Sequence, residues 1–314
     1  MVSIGTWNLE NLFRPGSGSG APSGEGAYDA KLDSLVAIIN DLKPDILAVQ
    51  EVGDPEALDD LVGRLDGSWL TGLADPDERG IRVGIISKLA LSEVEQFAAF
   101  PDRLAPVQVD DDGSTITAMG RPALRARITA GGTDVEVIST HLKSKLLSFP
   151  GGRFTPKDEG ERARYALYAL HRRAAEAATV RAGTDVLIDS DGADHAVIVA
   201  GDLNDEPETA ATQILLGPGG SEIGTAGFRQ PDKGDATRLW NLAPLIPEDQ
   251  RYSRIYRGRR ELIDHLIVSR ALVEKATWVT TGTSTTPSIT DLPTERRDAA
   301  GSDHRPVVAT FDLG

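Results

Sequence analysis

Short apolar runs recur along the chain, and many of them end in an acid, an amide or a histidine. Residues 2–10 alternate between faces as a strand does, with Val2, Ile4, Thr6, Asn8 and Glu10 on one side. That side begins apolar and turns polar near residue 8. Leu32, Leu35, Val36, Ile39 and Leu42 then recur at helical spacing, and the helix stops ahead of Pro44. Further strands are predicted over 45–52, 81–87, 196–200, 262–269 and 306–311. A hairpin is predicted from 124–128 and 134–140, joined by the Gly131-Gly132 turn. Residues 161–181, rich in Ala, Arg and Leu, form the strongest predicted helix. Between the first strand and the first helix, the Gly/Ser/Pro stretch that opens RPGSGSG predicts a flexible loop over 14–27. Asp189-Ser190-Asp191-Gly192 reads as a turn, because a calcium loop would need glutamate where Ala200 stands. Helices alternating with short strands predict an α/β layered protein.

Composition narrows the chemistry. The chain has 314 residues, enough for a large core, and no cysteine, which excludes disulfides, zinc–thiolate sites and thiol nucleophiles. A net charge of −15 argues against a protein that holds nucleic acid mainly through a basic surface. It is compatible with an acidic cleft that recruits divalent cations. No apolar run approaches the ~20 residues of a membrane span. Met1 leads straight into strand-like sequence, with no basic n-region, apolar h-region or cleavage site. A complete chain of this kind is expected in the cytoplasm; the trimmed mature form of a secreted protein would read the same.

The polar islands carry the candidate chemistry. Asn8/Glu10, Glu51, His141, Asp202/Asn204, Asp264 and Asp303/His304 each adjoin an apolar strand. Any one alone is more often a cap, a turn or a solvated strand end. Six together fit the rim where α/β proteins place ligands. Glu10, Glu51 and Asp303 are hard oxygen donors, suited to Mg2+, Mn2+ or Ca2+. In STHLKSK, alternation puts Ser139, His141, Lys143 and Lys145 on one face, a lining for an anionic substrate. Asp264 is placed to orient a histidine from another segment. His171, His195 and His265 read as structural.

Read in order, TWNLEN (6–11), AVQEV (48–52), STHLKSK (139–145), AGDLND (200–205), LIDHLIVS (262–269) and GSDHRPV (301–307) resemble the endonuclease/exonuclease/phosphatase superfamily, the fold of deoxyribonuclease I. The resemblance runs almost end to end and implies a single domain over 1–314. It implies a four-layer α/β/β/α sandwich, two packed mixed β-sheets with helices outside. It also implies phosphoester hydrolysis with one or two divalent metals, Mg2+ first, with Mn2+ or Ca2+ as alternatives. By motif, Glu10, Glu51 and Asp303 would hold the metal, with Asn8 beside them in reach of the substrate. Asp202 and Asn204 would position and activate the attacking water. His304, oriented by Asp264, would act as general base or stabilise the phosphorane, and His141 would contact the phosphate or assist the leaving group. Arg121, in GRPALRARI, resembles the family's phosphate-contacting arginine, and a surface arginine is the equal alternative. Lys143 would face the substrate. The deoxyribonuclease branch pairs a carboxylate with the His141 equivalent. Here Ile81 and Arg82 occupy the comparable stretch, which leaves Asp77 or Glu78 for that task.

For substrate, the sequence points first to a nuclease with nucleic acid as its partner, because Arg251, Arg254, Arg257, Arg259 and Arg260 form a local basic cluster. The alternative is a phosphatase or phosphodiesterase acting on inositol phosphates, phospholipid headgroups or small nucleotides. An inactive binding protein of the same fold is the third reading, opposed by the intact polar set.

Overall fold

The computed structural model describes every residue except Ser19, Asp291, Pro293 and Thr294. The first sheet runs β15 (Ala276–Thr280), β17 (Val307–Phe311), β1 (Val2–Leu12), β2 (Ile46–Val52), β4 (Arg82–Ser87), β3 (Leu70–Leu73). The second runs β11 (Trp240–Asn241), β14 (Asp264–Val268), β10 (Ala196–Asp202), β9 (Thr133–His141), β8 (Ala118–Ala130), β5 (Ser92–Ala99). Both are mixed. β1 lies parallel to β2 and β9 parallel to β10, and each of these crossovers carries a helix. The helices are α1 (Glu25–Leu42) and α3 (Glu159–Ile188). A two-stranded piece, β6 (Val107–Gln108) with β7 (Thr115–Ile116), is peripheral. A three-stranded piece forms from β12 (Arg254–Tyr256), β13 (Arg259–Glu261) and β16 (Ser288–Ile289).

Alternation along the strands separates three apolar layers. Val2, Ile4, Ile46, Ala48, Val83 and Ile85 face Ala126, Ile128, Val135, Val137, Ile198 and Leu266 between the sheets. The other side of the first sheet, with Trp7, Leu9, Leu47 and Val49, packs under α1 and α2 (Pro55–Val62). Ile138, Val197, Val199 and Ile267 on the second sheet pack under α3 and α4 (Ala210–Leu216). The result is the expected four-layer sandwich. Its polar seam lies directly below the acidic rim: Thr6 donates to Gln50 at 3.2 Å, and Gln50 reaches Ser139 of the opposite sheet at 3.5 Å.

Local boundaries differ from the sequence expectation in instructive ways. The loop predicted over 14–27 ends earlier, because α1 begins at Glu25. α1 ends with Lys43 in the left-handed conformation just before Pro44, whose ring disfavours continuation of the helix. α3 runs 30 residues, longer than predicted. Its N-cap Asp158 accepts a bond from Glu161 N, and its buried stripe includes Arg173, Glu176 and Thr179, so an apolar count understates it. β8 and β9 extend the predicted hairpin in both directions. No helix among the described residues is long and apolar enough to cross a membrane.

Candidate active site

The polar strand ends meet at one rim. Glu10, Glu51, Arg121, His141, Asp202, Asn204, Asp303 and His304 line a cavity of about 300 Å3. Two irregularities turn the acids toward it. β1 and β2 shift register between Asn8 and Leu12, and β2 and β4 shift between Val49 and Val52. Glu10, Asn11, Glu51 and Asn204 all adopt positive φ, from 52° to 59°. Asn tolerates this left-handed region, but for glutamate it costs on the order of 1 kcal/mol or more. Such strain persists where surrounding bonds hold it. Here Glu51 accepts from Asn8 Nδ2 at 3.2 Å and from Asn11 N at 3.0 Å.

Asp264 and His304 form the most sharply defined pair. His304 Nδ1 lies 2.7 Å from Asp264 Oδ2, and both residues are buried. Ser253 Oγ holds the start of β14 by accepting from Ile263 N and Asp264 N. Trp7 Nε1 donates to the His304 carbonyl at 2.9 Å. Ser302 Oγ donates to the Asn8 carbonyl and accepts from His304 N, so the C-terminal loop is fastened to β1. Arg254 and His304 form an isolated antiparallel bridge beside it.

Asp202 is anchored from several sides. Its Oδ2 accepts from Asn8 Nδ2 at 3.0 Å and lies 3.4 Å from His141 Nε2, while Oδ1 accepts from Asn204 N at 2.8 Å. Gly201 before it leaves no room for a side chain, since a Cβ there would sit 2.0 Å from the Thr140 carbonyl oxygen.

Burial sets the electrostatics. Burial, followed by the charge of Asp264, pushes Asp202 up to about 7. Burial by itself disfavours the His304 cation. Asp264, Asp303 and Asp202 outweigh it and push His304 up to about 10. Burial and the nearby Arg121 and Arg79 charges hold His141 neutral, well below the ordinary histidine value. Burial, with the neighbouring Asp303, pushes Glu10 up to about 7 against the pull of Arg296.

Ligand atoms of Asp202, Asp264 and His304 all lie within 4.8 Å of one another. The 2.7 Å bond from His304 to Asp264 makes this set an oriented histidine rather than a cation cage. Glu51 and Asp303 offer hard oxygens on the cleft wall, and that donor chemistry fits Mg2+ or Mn2+. Glu10 offers the same chemistry, but Arg296 grips its carboxylate in a two-pronged pair.

Several expectations need correction. Asn8 is only 1% exposed and does not face the cleft; it bridges Glu51 and Asp202 instead. Alternation predicts Lys143 on a strand face, but β9 ends at His141. Its ammonium turns back to the Ser144 and Leu146 carbonyls at 3.0 and 2.9 Å, and burial lowers it to about 8. Lys145 reaches the cleft instead, paired with Asp205 at 3.0 Å. Asp77 does not pair with His141: it binds Arg121 at 3.2 Å and Arg79 at 3.3 Å, and Glu78 is exposed. His141 Nδ1 is buried with no partner among the described residues. Arg121 is itself buried, donating to the His141 and Leu142 carbonyls.

The predicted basic cluster is also largely neutralised. Arg254 pairs with Glu261, Arg259 pairs with Glu206, and Arg251 donates to backbone carbonyls. His265, read as structural, is braced between Asn241 and the Asp205 carbonyl.

The sequence reading missed the supports contributed by α3. Arg173 holds Asp205 at 3.2 Å and the Lys143 carbonyl, and Glu176 accepts from Lys143 N. Charges on an apparently amphipathic helix read as solvated, and no local signal distinguishes these two. Arg79 and Arg296, also on the cleft wall, carry no motif either.

A profile described as the endonuclease/exonuclease/phosphatase family matches residues 5–304. The chain belongs to the endonuclease/exonuclease/phosphatase family. Members of this family are divalent-metal-dependent phosphoesterases. Similar solved structures include truncated TDP2 of Caenorhabditis elegans, at 17% identity and TM-score 0.57, covering 99% of this chain and 97% of that one. A mannosyl-6-phosphatase of Bacteroides thetaiotaomicron matches at 15% identity and TM-score 0.59, over 99% and 100% of the two chains. The human Nocturnin catalytic domain, solved with a bound sulfate, matches at 14% identity and TM-score 0.52, over 99% and 94%. At these identities the structures report the family fold and leave the substrate open. A comparison with curated proteins finds no match.

Proposed function

We propose that this family member is a divalent-metal-dependent phosphodiesterase that hydrolyses nucleic acid by attack of water on phosphorus. The observation that carries the reading is the buried Asp264–His304 pair at 2.7 Å, set beside an Asp202 whose carboxylate Asn8 and Asn204 fix in place. Glu51 and Asp303, with Glu10, would hold the cation, which when bound supplies Lewis-acid polarisation of a phosphoryl oxygen.

The remaining chemistry belongs to the chain. Asp202, near its midpoint at neutral pH, takes the proton of the attacking water. Asn204 shares the cleft wall with it and braces the 141–142 turn through the Leu142 carbonyl. His304 is held as a cation by Asp264. That favours charge stabilisation at the phosphorane over base catalysis. Neutral His141 and charged Arg121 complete the lining around the phosphate.

Tyr256, Ile289 and Leu292 give the same cleft an apolar wall suited to the face of a base or a sugar. That wall favours a nucleotide-bearing substrate over a bare inositol phosphate. A second reading, a small phosphoester, is supported by the pairing of the rim cations: Arg79, Lys145, Arg254 and Arg296 each already carry a carboxylate.

Purified protein incubated in Mg2+, Mn2+ or EDTA with single-stranded DNA, plasmid DNA, RNA and inositol phosphates decides between them, with His304→Ala as control. Polynucleotide cleavage lost in EDTA and in the variant supports the nuclease. Phosphate release from the small substrate alone would replace it with the second reading.

A further inference from the structure

The Glu10 carboxylate is engaged on both oxygens. Its Oε1 accepts from Arg296 Nε at 2.8 Å, and its Oε2 accepts from Arg296 Nη2 at 3.0 Å and from Asp303 N at 2.9 Å. A forked guanidinium pair of this kind is the geometry carboxylates bind best. Three of its roughly four lone-pair sites are taken, so Glu10 can turn both oxygens to a metal ion only after the fork lets go.

The surroundings are built to keep Arg296 there and to survive its departure. Immediately after it, Arg297 donates to the Ala21 carbonyl and Asp298 accepts from Ser23 N, both at 2.6 Å. The backbone is thereby fastened to the loop after β1, and only the Arg296 side chain has to swing. Behind Glu10, the buried Lys31 donates to the Gly301 carbonyl at 3.1 Å, within electrostatic reach of Glu10 and Asp303. Burial works against that ammonium, while the charges of Glu10 and Asp303 favour it.

We propose that Arg296 is a built-in competitor of the divalent cation for Glu10. A cation that takes Glu10 displaces the guanidinium into the cleft, where it faces the phosphate. The inference rests on the metal-dependent reading above and adds a control on metal affinity to it. Because guanidinium and metal compete for one carboxylate, the two binding equilibria are linked, and removing Arg296 tightens the metal.

The test is a calorimetric titration with Mn2+ of wild type, Arg296→Gln, Glu10→Gln and the double variant, each first checked by thermal unfolding. Arg296→Gln is expected to bind Mn2+ at least about five-fold tighter, and the gain is expected to vanish in the Glu10→Gln background. Equal or weaker binding by Arg296→Gln overturns the proposal. So does a gain that persists without Glu10, which would be bulk charge alone. Should Arg296→Gln not fold, Arg296→Lys keeps the charge, loses the fork, and should tighten binding about two-fold. Mn2+ binding that depends on Glu51 but ignores Arg296 overturns the competition and leaves the hydrolase reading standing. Absence of Mn2+ binding in every protein overturns both.

Discussion

His304 Nδ1 lies 2.7 Å from Asp264 Oδ2 in a buried setting, although Asp264 opens β14 of one sheet and His304 lies in the loop ahead of β17 of the other. Ser253 holds one partner and Trp7 the other, so the pair is fixed before any substrate arrives. Asp264→Asn removes the counter-charge and keeps the shape. The expected loss is about a hundred- to a thousandfold in kcat with little change in KM. Steady-state hydrolysis checks it, and a loss under about five-fold would remove the pair from the mechanism.

The same pair makes stability depend on pH. His304 has a folded pKa of about 10 against an ordinary value of 6.5. Its stabilising contribution is therefore complete below about pH 6.5 and is lost as pH rises through 10. Denaturant unfolding of wild type and His304→Gln at about pH 6 and pH 10 isolates it. The wild-type advantage is expected to shrink by roughly 2–4 kcal/mol over that span. An advantage that grows with pH contradicts the assignment.

How far the site could be read from the chain depends on the kind of residue. Asp202, Asp264, Asp303 and His304 lie beside apolar strands, and strand ends collect at a sheet rim, so their meeting was legible. Alternation fails for Lys143, because the chain turns after the end of β9 and its ammonium finds the carbonyls of its own loop. Asn8 lies on the predicted face, but the register shift after it sends Glu10 to the cleft and leaves Asn8 beneath, between two carboxylates. Arg173, Glu176 and Arg296 act through contacts across 30 to 286 residues, and no local pattern encodes those. The layered fold was legible because apolar periodicity is local. The edge strand β5, mostly exposed, has little of it and was missed.

Metal binding should run through Glu51. Mg2+ that binds the folded state alone raises the melting temperature in proportion to RT ln(1 + [L]/Kd). Glu51→Gln is expected to lose most of that shift, and EDTA to return wild type to the metal-free value. A shift of the same size in the variant would place the cation elsewhere.

Gly201→Ala tests the close approach of β9 and β10 beneath Asp202. A Cβ 2.0 Å from the Thr140 carbonyl forces the strands apart. The expected destabilisation is about 3 kcal/mol, with activity falling as Asp202 shifts. Urea unfolding measures the first, and a change below about 0.5 kcal/mol would show that the strands yield freely.

The central claim is that Asp202 and the His304 pair direct water onto phosphorus in the presence of a divalent cation. The most direct measurement is hydrolysis of a dinucleotide in heavy-oxygen water with Mg2+, followed by mass analysis of both products for wild type and Asp202→Asn. Label is expected only in the phosphate-bearing product, with no turnover in EDTA and at least about a hundredfold slower turnover in the variant. Label in the alcohol product, or turnover that ignores both EDTA and the variant, would contradict it.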